Sequence, residues 1–136
     1  MDINDLKIDV ARQEEGGWVD NIPEMGDLRL RVRGLNNASW RKLQATLYNA
    51  VPRNKRPGGQ VDPDEQDRIT GICLRDTCLL DWDGVTHNGE PVAYSKELAN
   101  KLLTDPQFRK FREAVIWASM TVAEQDAADA EDARKN

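Results

Sequence analysis

A switch of hydrophobic period near residue 36 most constrains the fold of this chain. Leu28, Leu30 and Val32 alternate with Arg29, Arg31 and Arg33. Successive side chains of a strand point to opposite faces, so this segment predicts a strand with an apolar face and an arginine face. From Asn36 onward the spacing becomes helical. Asn36 or Asn37 can cap a helix in which Trp40, Leu43, Leu47 and Val51 recur every three or four residues, until Pro52 ends it. The fold class that follows is α+β, mainly α. A short antiparallel sheet of two or three strands near residues 6–33 precedes four helices near 37–51, 63–80, 95–103 and 106–122.

Leu6, Ile8 and Val10 alternate with Lys7 and Asp9, which reads as a first short strand, and Trp18-Val19 begins a second. Residues 53–61, with Pro57-Gly58-Gly59, read as a basic flexible linker. Asp62-Pro63-Asp64-Glu65 has the form of a helix start, with Asp62 as cap, Pro63 in the first turn and Glu65 completing a capping box. Ile69, Ile72, Cys73, Leu79 and Leu80 carry that helix to about residue 80. A small hairpin is expected over 84–93 around Asn88-Gly89. Ser95 caps the next helix, and Asp105-Pro106 opens the last, with Phe108, Phe111, Val115 and Val122 on one stripe and Trp117 off it. Trp40, Leu43, Leu47, Ile69, Ile72, Leu98, Leu102, Phe111 and Val115 are the expected core. Residues 1–122 form one domain, and 123–136, acidic and alanine-rich, read as a frayed or disordered tail.

Charge separates along the chain. The net charge is −5, yet Leu28 to Val61 holds eight basic residues and no acidic one, so the remainder carries −13. Such polarity suits charge-steered association with a partner or with further copies, and the net negative charge argues against a dedicated nucleic-acid binder. The arginine face of 29, 31 and 33 has two readings: a partner-docking or phosphate-contacting edge, or the solvated side of a half-buried strand.

Little here points to catalysis or cofactors. The single histidine, His87, has no metal-ligand spacing around it. Cys73 and Cys78 lie five apart on an expected helix, about 140° from each other, and read as small buried residues in a reducing compartment. The Gly58-Gly59 pair lacks the spacing and the Lys-Ser/Thr of a phosphate loop. Asp81 and Asp83 lack the further ligands of a calcium loop. No enzymatic activity, cofactor or metal is expected. No run approaches a membrane span and the acidic start does not resemble a signal peptide, so a cytosolic location is expected.

Several segments together carry a family resemblance. Glu15-Gly16-Gly17-Trp18-Val19 precedes the basic strand, and Gly34-Leu35-Asn36 leads to Trp40-Arg41-Lys42-Leu43. Then come Leu80-Asp81-Trp82-Asp83-Gly84-Val85, Gly89-Glu90-Pro91-Val92-Ala93-Tyr94-Ser95, Leu102-Leu103-Thr104-Asp105-Pro106, and Phe108 through Trp117. Over roughly residues 5–122 the chain resembles the tail assembly chaperones of long-tailed bacteriophages. The resemblance implies a non-catalytic factor of the host cytoplasm, absent from the mature virion. It implies binding to the tape measure protein, keeping it soluble, and recruitment of the major tail protein. A longer, frameshift-extended form of the chain is a further implied partner. Trp82, Tyr94 and Trp117 are the candidate apolar contacts, with Arg29, Arg31 and Arg33 as the charged ones. The competing classes are a tail-completion or connector component of the virion and a small nucleic-acid-binding regulator.

Overall fold

Three strands from distant parts of the chain make one antiparallel sheet in a computed structural model, which describes residues 1–124. The strands are β1 (Gly17–Val19), β2 (Arg29–Val32) and β3 (Leu79–Asp83), with β2 central. Val19 stands opposite Leu30, and Leu30 opposite Trp82, so one face of the sheet is continuously apolar. A second, two-stranded ribbon joins β4 (Thr86–His87) to β5 (Glu90–Pro91). Its turn is Asn88-Gly89, both residues at positive φ, as a tight hairpin requires.

The sheet departs from expectation at both outer positions. The alternation of Leu6, Ile8 and Val10 does not make a strand. Ile3–Leu6 form a 3-10 turn and Val10–Glu15 form helix α1. Asp2 accepts the Asn4 N–H and Asp9 accepts the Arg12 N–H, so local caps satisfy the backbone where a strand would have needed a partner. The third strand comes instead from the end of the segment read as one helix over 63–80. Helix α3 covers Pro63–Cys73, a single π-turn covers Leu74–Cys78, and the chain then extends into β3. Thr77 contributes to the break by donating its hydroxyl to the Cys73 carbonyl at 2.7 Å. Its own carbonyl is taken at 2.9 Å by the side-chain amide of Asn37.

That asparagine organises the sheet-to-helix junction. Asn37 is fully buried and its Oδ1 accepts the Trp40 N–H at 2.9 Å, capping α2 (Ala38–Asn49). Its Nδ2 donates to the carbonyls of Gly34 and Thr77, both at 2.9 Å. One side chain thus joins the β2–α2 turn, the helix start and the π-turn.

The segment 53–61 is built of two 3-10 turns, Arg53–Lys55 and Pro57–Gly59. It is tied to α3 by the ion pair of Lys55 with Glu65 at 3.1 Å. Glu65 also accepts from Arg68, and Asp62 makes no side-chain capping bond, so the expected capping box is replaced by an ion-pair cluster. Ser95 caps α4 (Lys96–Thr104), Asp105 accepts the Gln107 N–H, and α5 (Arg109–Thr121) follows the turn Pro106–Phe108. Helices α3 and α4 meet at Gly71, where an added Cβ would lie 2.6 Å from the Leu103 carbonyl oxygen.

Of the expected core, Trp40, Ile69, Phe111 and Val115 are buried, while Leu43, Leu47, Leu98 and Leu102 are half-buried against it. Ile72 is only partly covered, because α3 turns Ile69 and Cys73 inward. The sheet contributes Val19, Leu30, Val32, Leu79 and Trp82, and α5 adds Ala114, Ala118 and Val122. Cys73 and Cys78 are both buried free thiols. No helix among the described residues is long and apolar enough to cross a membrane. The expected tail lies outside the described residues, apart from Ala123, which is buried, and Glu124.

Candidate partner-docking surface

Of the aromatic residues singled out as partner contacts, Trp82 and Tyr94 touch while Trp117 lies elsewhere, and Trp82 is not on the surface. Trp82 is 5% exposed. Its ring meets Tyr94 edge-on at 5.1 Å between centroids, and Phe111 at 5.8 Å. Its indole Nε1 donates to the Val92 carbonyl at 2.8 Å. The apolar spacing alone leaves Trp82 just past a helix that ends near residue 80; as a β3 residue opposite Leu30 it points into the core. Tyr94 is half-buried beside it, its hydroxyl held above its ordinary range by burial and then by the negative charges of Asp81 and Asp76. Trp117 is half-buried elsewhere, lining a groove of about 220 Å³ with Ile22, Met25 and Ala114.

The arginines divide too. Arg29 lies over the Trp18 ring at 5.1 Å and 3.8 Å from the Asp83 carboxylate. Arg31 stands opposite Asp81 in the β2–β3 register. The exposed arginine ridge is therefore matched by an aspartate ridge on the neighbouring strand. Arg33 has a structural role: its Nε donates to the Glu14 carbonyl at 2.6 Å and its guanidinium pairs with the Glu14 carboxylate at 3.1 Å. The same carboxylate accepts the Ala38 N–H at 2.9 Å, so Arg33 and Glu14 fasten α1 to the start of α2.

A surface that the sequence reading did not single out has the better geometry. The β4–β5 hairpin leans over α4 and the turn before α5, enclosing a groove of about 390 Å³. Val85 and Val92 line it from the hairpin side, Leu98 and Leu102 from α4, and Phe108 from the turn. Thr86, His87 and Lys101 complete the lining, and the Lys101 ammonium lies 5.9 Å from the Phe108 ring centre. Leu98 and Leu102 are four apart, so they project on one face of α4. The Trp82–Val92 bond fixes the hairpin that forms the opposite wall. The spacing of Leu98 and Leu102 predicts core positions; the structure leaves both half-buried, packed against the core on one side and lining the groove on the other.

Elsewhere, Asp64, Asp67, Arg68, Asp105, Arg109 and Arg112 line a charged cleft of about 330 Å³. Among the described residues no group of three His, Cys, Asp or Glu side chains is placed to hold a metal ion.

No curated protein and no solved structure matches the chain. A model of the YdaY prophage protein family matches residues 35–136, a span that contains α2 to α5, β3, the hairpin and the groove. On that match, which covers well over half of its length, the chain belongs to the YdaY prophage protein family and is phage-derived.

Proposed function

We propose that this phage-derived protein is a non-catalytic tail assembly chaperone, whose hairpin–α4 groove receives apolar side chains of a helical segment of the tape measure protein. The observation that carries the reading is the groove itself. Five apolar side chains from three elements converge on a half-open cleft large enough for a few anchoring side chains. Helix-in-groove recognition uses this arrangement, with anchors from successive turns of the guest helix. The groove lies within residues 82–117, the stretch in which the resemblance to tail assembly chaperones is densest.

A chaperone must also release its client. A shallow groove with one charged residue, Lys101, on its lining offers apolar contact without the buried ion pairs that slow dissociation. In this reading the protein acts in the host cytoplasm, helps recruit the major tail protein, and is left out of the finished virion.

The test is co-expression with the tape measure protein encoded by the same prophage. The client stays soluble and co-purifies with the wild-type chain, and Leu98→Asp or Leu102→Asp loses both effects. Recovery of the chain in purified particles would favour a connector or tail-completion component. Salt-dependent binding to DNA would favour a regulator. The aspartates opposite Arg29 and Arg31 weigh against the latter.

A further inference from the structure

Six of the seven large apolar side chains that the described fold leaves exposed belong to two segments: Met1, Ile3, Leu6, Ile8 and Val10 to the N-terminal one, and Met120 to the end of α5, where it lines a shallow groove with Ile8. A short segment that leaves five large apolar side chains uncovered is a candidate interaction site. Asp9 anchors the segment, its N–H donating to the Ala123 carbonyl at 3.1 Å. Ahead of it, Ile3–Leu6 form a 3-10 turn. Side chains three apart in a 3-10 turn eclipse, so Ile3 and Leu6 form one apolar ridge, with Asp5 beside it and Asp2 capping the turn through the Asn4 N–H. The hairpin–α4 groove has the opposite character: an apolar lining, no carboxylate, and the ammonium of Lys101.

We infer that the Ile3–Leu6 ridge of one copy docks in the hairpin–α4 groove of a second copy, with Asp2 and Asp5 toward Lys101, joining copies head to tail. Self-docking within one chain is ruled out by reach. The groove ends at Phe108 and the anchor lies at Ala123, about 20 Å away along α5 at 1.5 Å per residue. Leu6 is three residues from Asp9 and extends at most about 10 Å. Pairing of two N-terminal segments would set Asp2 and Asp5 against their own copies, whereas the groove supplies the opposite charge. Docked in one direction, such a contact leaves a free segment and a free groove at the ends of an open chain; exchanged reciprocally or around a ring, it closes. The inference concerns the protein without a client and does not depend on tape measure binding, although both use the same groove.

The experiment is analytical ultracentrifugation of the full chain, alone and in mixtures. Wild type sediments faster with rising concentration. Leu6→Asp, with its groove intact, and Leu102→Asp, with its N-terminal ridge intact, each lose that shift. Mixed in equal amounts, the two variants restore one complementary pair of surfaces and form a 1:1 dimer that does not grow. Far-ultraviolet circular dichroism confirms that each variant is folded. If Leu102→Asp is unfolded, Lys101→Glu takes its place, expected to weaken association and to be rescued by Asp5→Lys in the same chain. A wild type monomeric at all concentrations, a Leu6→Asp variant that still associates, or a mixture that remains monomeric would each overturn the inference. Leu6→Asp should still solubilise the tape measure protein, which separates the two uses of the groove.

Discussion

The indole of Trp82 on β3 donates to the Val92 carbonyl just beyond the hairpin, at 2.8 Å. This bond couples the buried sheet to the exposed groove wall, and it is the route by which a core residue affects docking. Trp82→Phe removes the donor and leaves the Val92 carbonyl without its indole partner. A loss of about 1–3 kcal/mol in urea denaturation is expected, with weaker capture of the client from a loosened hairpin. Unchanged capture would separate the hairpin from the docking surface.

Asn37 is expected to be as sensitive as a core apolar residue. Asn37→Ala leaves the Trp40 N–H and the carbonyls of Gly34 and Thr77 without their side-chain partner. Loss of the cap and exposure of buried acceptors together cost roughly 2–4 kcal/mol, read from a shifted denaturation midpoint. Asn37→Asp keeps the cap but turns a carboxylate toward two carbonyl oxygens, and should be no more stable than the alanine variant.

At Gly71 the close approach of α3 and α4 predicts that even a methyl group is harmful. Gly71→Ala raises helix propensity, yet its Cβ would sit 2.6 Å from the Leu103 carbonyl oxygen. Separation of the helices should outweigh the propensity gain, for a net loss of about 1–3 kcal/mol by thermal denaturation.

Acid should weaken the attachment of the 53–61 segment. Hydrogen bonds from Arg68 and then Lys55 hold the Glu65 carboxyl below its ordinary value. The folded state therefore binds this proton less readily than the unfolded chain. The stabilisation is complete above the ordinary carboxylate range, near pH 4.3, and is lost as pH falls through the lower folded value. Glu65→Gln should flatten the acid limb of a stability–pH profile; an unaltered limb would show that the cluster does not contribute.

The two thiols should be inert in the folded protein. Burial, then the neighbouring Cys78 and Asp76, pushes Cys73 up to about 11. Burial likewise raises Cys78. Alkylation near pH 8 should proceed only as fast as the chain unfolds, and rapid modification of either cysteine in native protein would contradict the packing described.

What was legible in the sequence was local. The Leu28–Val32 alternation, the caps at Ser95 and Asp105, and the Asn88-Gly89 hairpin need only neighbouring residues to be read, and each appears where expected, while of Asn36 and Asn37 the structure selects Asn37 as the α2 cap. Strand β3 was not legible, because Leu79 and Leu80 continue the apolar spacing of α3. Only the distant β2, forty-seven residues back at Val32, selects the extended form for Leu79. That single error hid the aspartates opposite Arg29 and Arg31 and placed Trp82 on the surface. The converse happened at Leu6, Ile8 and Val10, where period-two spacing lacked a partner strand and acidic caps prevailed. The groove combines a hairpin, a helix face and a turn, so no single segment announced it.

The account turns on whether the hairpin–α4 groove receives an apolar helix. The direct measurement is calorimetric titration of the folded full chain with synthetic helical segments of the prophage's tape measure protein, for wild type and for Leu98→Asp. The account predicts saturable binding with a negative heat-capacity change, abolished in Leu98→Asp and retained in Trp117→Ala. Equal binding by wild type and Leu98→Asp, or binding by neither, would contradict it.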